Sequence, residues 1–251
     1  MSLRDKVRSA AGTAVAAKPG MPALGDKGAT EPLKLGLSLS LGEMDALERT
    51  LPCPIPPDVR DLLQSTRGYS NGPIELSFDG VSGGFGLDEI FPCPHAIAHD
   101  GAGNFWVVDL LPHSSRWSPI YYACHDPPVI VYQSDSLEHF IDEWLRLAAP
   151  PHASALRDVH DDIVHRIWRE HPGAVPAPSL RDAADPELRA FAASLPDACA
   201  VIDLRHAATG DGFAWGRYGP RTKLFRHGEA PLFAYRAEEK PKFSWRKLLG
   251  R

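Results

Sequence analysis

The sequence predicts an α+β protein: a mixed sheet flanked by helices, followed by a smaller, β-rich α+β part at the C-terminal end. Three observations carry this. Residues 97–110 read as strand, tight turn, strand. Asp100-Gly101-Ala102-Gly103-Asn104 tolerate turn angles that β-branched residues refuse, and Phe105-Trp106-Val107-Val108 suit a half-buried strand. Capped segments with apolar residues at helical spacing stand on both sides of that hairpin. Short strand-like runs separated by glycine turns then return after residue 198.

The elements follow in order. Residues 1–37 mix Ala, Gly, Pro and Lys without a sustained apolar period and are expected to be disordered or loosely attached, a short helix over 3–17 being the weak alternative. A domain is expected over 38–150. Its first helix starts at Ser40, where Ser40 and Glu43 make a capping box and Met44, Leu47 and Leu51 share a face. Pro57 and Asp58 suit the first turn of a second helix, with Val59, Leu62 and Leu63 as its stripe and Gly68 as its stop.

From residue 73 to 108 the period is two, with Ile74, Leu76 and Phe78 alternating with Glu75 and Ser77. Gly80, Gly83, Gly84 and Gly86 break up a loop or bulged edge before the hairpin. Residues 118–124 and 129–132 are two further strands joined across His125-Asp126-Pro127-Pro128. Asp135 with Glu138 supplies a carboxylate cap for an amphipathic helix carrying Leu137, Phe140, Ile141, Trp144 and Leu145.

Residues 151–178 are expected to be a helix over 153–170, with Leu156, Val159, Ile163 and Ile167 on one face, and then a Pro-rich linker. Residues 179–251 make the C-terminal part. It holds a helix capped by Asp185, with Leu188, Phe191 and Leu195, then strands near 198–204, 213–217, 222–226 and 232–236, and a basic tail over 238–251.

A chain of 251 residues with 43% hydrophobic and 24% charged residues can bury a core without staples. No run reaches the roughly 18–20 apolar residues of a membrane helix, and residues 1–20 lack the apolar core of a signal peptide, so no membrane partner and a cytoplasmic place are expected. Cys53, Cys93, Cys124 and Cys199 lie far apart without a C-x-x-C pair, which reads as buried free thiols. Charge is segregated. Residues 36–148 hold five Lys/Arg against sixteen Asp/Glu, a net of −11, while residues 217–251 are +7. Such asymmetry speaks of charged partners.

No motif carries catalysis or a cofactor. His95 and His99 stand four apart, but Pro94 and Gly101 leave little room for a helix and the glutamate of H-E-x-x-H is missing, so no metal is expected. Cys124-His125-Asp126 has the residue types of a nucleophile, base and orienter, yet neighbours on an extended chain point to opposite sides. The 100–104 turn lacks the Gly-Lys-Ser/Thr of a P-loop and the spacing of an EF-hand.

The order of motifs resembles the SUKH superfamily, the group of the fungal Smi/Knr regulators and many bacterial immunity proteins. The residues are Ile55-Pro56-Pro57-Asp58 with Leu62-Leu63, then Gly68, Asn71-Gly72 and Asp100-Gly101 with Gly103-Asn104. Asp109-Leu110, His125-Asp126 and Ser136-Leu137-Glu138-His139-Phe140-Ile141 complete the series. The likeness spans about residues 38–148; Leu137 stands where phenylalanine is common, and residues 151–251 are left unexplained. It implies a non-enzymatic α+β binding domain whose bacterial members neutralise a cognate toxin, often a nuclease, by direct contact.

On that footing the acidic middle is expected to meet a basic toxin surface. Asp88, Glu89, Asp100 and Asp109 would form the face, with Trp117 or Tyr121 as aromatic anchors. The rival is a scaffold or nucleic-acid binder acting through residues 213–251. There Phe213, Trp215, Tyr218, Phe225, Phe233 and Tyr235 interleave with Arg217, Arg221, Lys223, Arg226 and Arg236. The same aromatics would equally serve as the core of a small sheet, and the basic end could dock on the chain's own acidic middle.

Overall fold

The computed structural model describes residues 1–12, 14–15, 31–69, 71–82, 88–216 and 222–236. Gly83, Gly84, Gly86, Arg217, Tyr218, Arg221 and the tail 238–251 therefore lie outside the described residues.

Chain order begins with helix α1 (Leu3–Ala10), the two-residue strands β1 (Ala14–Val15) and β2 (Glu31–Pro32), and helices α2 (Leu41–Glu48) and α3 (Pro57–Leu63). Strands β3 (Gly68–Tyr69), β4 (Glu75–Ser77), β5 (Pro94–His99), β6 (Phe105–Asp109), β7 (Ile120–His125) and β8 (Pro128–Ser134) lead into helix α4 (Leu137–Ala148). A π-helical segment (Val159–Val164) runs directly into α5 (His165–Glu170). Strand β9 (Val175–Pro176), a 3-10 turn (Ala177–Leu180), helix α6 (Pro186–Ser194) and strands β10 (Cys199–Asp203), β11 (Gly212–Ala214), β12 (Lys223–Arg226) and β13 (Leu232–Arg236) complete it.

The hairpin at the centre forms as its residues demand: β5 and β6 pair antiparallel from Pro94↔Asp109 to His99↔Phe105, with the 100–104 turn at the tip. The large sheet runs β11-β8-β7-β6-β5-β4-β3, and a four-stranded sheet runs β12-β13-β10-β9. The sheet expected to be mixed is antiparallel in every pairing between described strands, including the long-range pairing of β11 with β8.

Side-chain alternation builds the layers. Trp106, Val108, Tyr122, Cys124, Val129 and Val131 face one way and pack with Met44, Leu62, Leu63, Phe140, Ile141 and Trp144 of the helices. Val107, Tyr121, Ala123 and Ile130 face the other way and pack with Ile202, Leu204, Phe213, Phe233 and Tyr235. Helix α6 then covers the outer side of the small sheet through Phe191 and Leu195 against Val201 and Ala234.

The C-terminal part is thus a layer of the same core. Its strand β11 pairs with β8 at the edge of the large sheet (Gly212↔Val131 to Ala214↔Val129), so boundaries at 150 and 178 do not divide the packing. A Cβ on Gly212 would lie 2.1 Å from the Ile130 carbonyl oxygen, which explains glycine at this crossing.

Three local expectations change. Residues 3–10 are an ordered helix: Leu3 and Val7 are buried, and Lys6 bridges Glu138 (2.9 Å) and Asp142 (2.8 Å) of α4. Ser136, rather than Asp135, caps α4 by accepting the His139 amide. The helix expected from 153 begins only at Val159, because Asp158 sits at φ 55°, a left-handed angle that interrupts it.

Candidate binding cleft

The structure divides the residues expected to form one acidic face. Asp88 and Glu89 are exposed before β5, whereas Asp100 lies past its other end, so the six-residue strand, roughly 20 Å long, separates them. Asp109, Trp117 and Tyr121 are interior and cannot be surface contacts. Asp109 is paired with Arg226 at 2.7 Å. Trp117 packs edge-on against His95 (4.7 Å between rings). Tyr121 lies between the sheets against Phe91, Tyr132 and Phe233. The strand alternation that drives Val107 inward toward the second sheet drives Tyr121 there too, since the two are register partners.

The rival basic surface loses part of its described set in the same way, while Lys223 stays exposed and Trp215 and Arg236 are half-buried. Phe213, Phe233 and Tyr235 are core, Phe225 is half-buried, and Arg226 is spent on Asp109.

Around Asp100 the geometry is tightly specified. Its Oδ1 accepts the Ala102 amide (2.8 Å) and the Asn104 amide (3.3 Å); its Oδ2 accepts Asn104 Nδ2 (2.7 Å) and the Tyr122 hydroxyl (2.8 Å). Partial burial opposes the charge, but these donors outweigh it and hold the carboxyl below its usual range. Gly101 and Gly103, at φ 82° and 88°, supply the left-handed angles of the turn. Buried Asn104 then ties the turn to the next loop, its Oδ1 accepting the His125 amide (3.1 Å). With four donors on it, the Asp100 carboxylate holds the turn together and lends its neighbourhood negative charge.

Beside this turn opens a cleft of about 450 Å³ that the sequence did not reveal. Pro73, Ile74, Trp106, Tyr122, Leu147, Leu156 and Val159 make its apolar wall, and Asp100, His152, Arg157, Asp158, His160 and Asp161 its rim. The far side is the 149–161 segment, pinned in place by α4 and β8. Buried Glu143 accepts the Ala155 amide on Oε2 (2.6 Å) while Arg146 meets its other oxygen. The Glu143 carbonyl accepts the Ser154 hydroxyl (2.7 Å), and Gln133 donates from Nε2 to the Ala155 carbonyl (3.1 Å). Gln133 in turn accepts the Trp106 indole N–H (3.2 Å), which fixes the floor.

At the mouth, His160 has both ring nitrogens against oxygens: Nε2 on the Asp126 carbonyl (3.0 Å) and Nδ1 beside Asp161 (3.2 Å). Burial works against its charge, yet these acceptors prevail and push the imidazole above its usual range. Arg157 and Asp158 pair at 3.1 Å, and Asp126 and Asp162 are exposed close by in sequence to rim contacts. Signal for this mouth was present in Asp158-Val159-His160-Asp161-Asp162, three carboxylates within five residues of a stretch read only as helix and linker.

The other candidates resolve into structure. Cys124 is buried and burial pushes its thiol up to about 11, the reverse of an activated nucleophile, while His125 is exposed on the opposite side of the strand. His95 is buried on the Phe78 carbonyl (3.0 Å), and burial pushes its imidazole down; His99 stands 3.0 Å from Glu75. Among the described residues no group of His, Cys, Asp and Glu is arranged to hold a metal ion, and no helix is long and apolar enough to cross a membrane. Three thiols are buried, and Cys93, expected with them, is exposed.

Comparison with known families gives one result. Residues 38–143 match the SMI1 / KNR4 family (SUKH-1). Comparisons with curated proteins and with solved structures return no match. The matched segment runs from the capping box of α2 to the middle of α4, and includes the turn that forms one wall of the cleft.

Proposed function

Residues 38–143 belong to the SMI1 / KNR4 family (SUKH-1), and from that premise we propose that the protein is a non-enzymatic binding protein of the immunity type. It neutralises a cognate toxin by covering the toxin's working face, and a nuclease, which presents a basic surface, fits the acidic charge. The observation that supports this best is the acidic mouth around the 100–104 turn, in a segment whose net charge is −11. Opposite charge speeds encounter and rejects wrong partners without any bond being made or broken. Asp100 is the member of the expected face retained here, with Asp126, Asp158, Asp161 and Asp162 added; Asp88 and Glu89 could touch only a partner broad enough to reach past β5.

The test is co-expression with the toxin encoded beside its gene. Growth is expected to be restored, and the purified pair to form a complex whose affinity falls as salt rises. Growth arrest that persists with both proteins soluble and present overturns the reading.

A further inference from the structure

We propose that the cleft between the 100–104 turn and the 152–161 segment receives an arginine side chain presented by the partner. The inference rests on the binding role above and names what that role engages.

Size, wall and rim together select this occupant. A volume of about 450 Å³ fits one long side chain with its flanking backbone and is small for a folded element. The wall of Ile74, Trp106, Tyr122, Leu147 and Leu156 suits a hydrocarbon stem. At the rim, Asp158 and Asp161 already have one cationic neighbour each, Arg157 and His160, but both carboxylates are exposed and keep acceptor positions toward solvent. Arg157 and His160 are engaged by Asp158 and Asp161, and the Asp100 carboxylate adds further negative charge, so the mouth is net acidic and favours a cation over an anion.

Between the two basic side chains, geometry favours arginine. Its planar fork can span two carboxylates at once, and it is more weakly hydrated than an ammonium, which suits a half-enclosed mouth beside aromatic rings. The cleft needs little rearrangement to accept it. Glu143, Ser154 and Gln133 already hold the 152–158 backbone open, so the cost of ordering the site is met within the fold.

The test uses the full chain, isotope-labelled for NMR, titrated with capped tripeptides Gly-Arg-Gly, Gly-Lys-Gly and Gly-citrulline-Gly. Citrulline keeps the shape of arginine and removes its charge. The arginine peptide is expected to shift the Trp106 indole and the amides of residues 100–104 and 157–161 in a saturable way. The lysine peptide should bind several-fold more weakly and the citrulline peptide not at all. Asp158→Asn with Asp161→Asn should weaken the arginine peptide at least fivefold, while Asp182→Asn, an exposed carboxylate of the outer layer, should leave it unchanged.

Equal shifts from arginine and citrulline, or none at these residues, overturn the inference. If the peptide binds but no toxin is neutralised, the immunity reading fails and the site stands; if neutralisation survives the double variant and no peptide binds, the reverse holds.

Discussion

Arg226 and Asp109 stand 117 residues apart in the chain and meet in a two-pronged ion pair from which solvent is excluded, Nη1 and Nη2 reaching the carboxylate at 2.9 and 2.7 Å. Arg226 also donates to the carbonyls of Ile90 (2.8 Å) and Glu229 (2.9 Å) and lies over the Phe233 ring. Burial pushes the Asp109 carboxyl above its usual range, and the guanidinium draws it part of the way back. The contact joins the end of β6 to β12, and so fastens the small sheet to the large one.

Breaking that pair from one side should be costly. Arg226→Met leaves a buried carboxylate without a partner and is expected to lower stability by about 3–5 kcal/mol in urea unfolding. Asp109→Leu combined with Arg226→Met should recover most of the loss, since two apolar residues can replace a buried pair. A single variant as stable as the parent would show that the sheets are held by apolar packing alone.

Asp100→Ala removes one carboxylate from four donors, the Tyr122 hydroxyl among them. A loss of about 1–3 kcal/mol is expected. The pH dependence has a definite sign. The folded carboxyl titrates below its ordinary 3.8, so its contribution is present above that value and disappears as acid carries the pH down through the folded pKa. The acid limb of a stability–pH curve should therefore flatten in the variant; an unchanged limb would count against the network.

Thiol labelling should report the layers. Cys93 is exposed and should react at once with a thiol reagent in the native protein, whereas Cys53, Cys124 and Cys199 are buried and should react only on unfolding. Cys124 is further protected because burial holds its thiol up to about 11. Prompt labelling of more than one thiol would contradict the packing described.

Val7→Ala tests whether α1 belongs to the core. Val7 is fully buried, and Tyr69 donates its hydroxyl to the Val7 carbonyl (3.2 Å). The expected loss is about 1.5–3 kcal/mol. Lys6→Ala should cost less, as Glu138 is exposed and Asp142 half-exposed, so solvent screens both contacts. A neutral Val7→Ala would return residues 3–10 to a loosely attached role.

What the sequence made legible was local. The Ser40–Glu43 box, the Asp185 cap before Pro186 and the glycine-bearing turn after β5 are each specified within a few residues, and each forms where expected. The second layer was less visible because it depends on contacts far along the chain. Yet Ile120-Tyr121-Tyr122-Ala123-Cys124 is apolar without alternation, the mark of a strand covered on both faces. The cleft was missed for another reason. Two non-glycine residues at left-handed angles, His152 and Asp158, shape it, and composition carries no sign of that.

Strand β11 and the sheet around β10 and β13 finish an edge and a face that the family segment cannot finish alone. Anyone wishing to transplant residues 38–143 into another scaffold, or to shorten the protein for use as an inhibitor, inherits a sheet with one greasy side open to water. The practical unit for engineering reaches at least to Arg236, and redesign for new partners is best confined to exposed rim positions such as Ala102, Arg157, Asp158 and Asp161, where changes leave the shared interior alone.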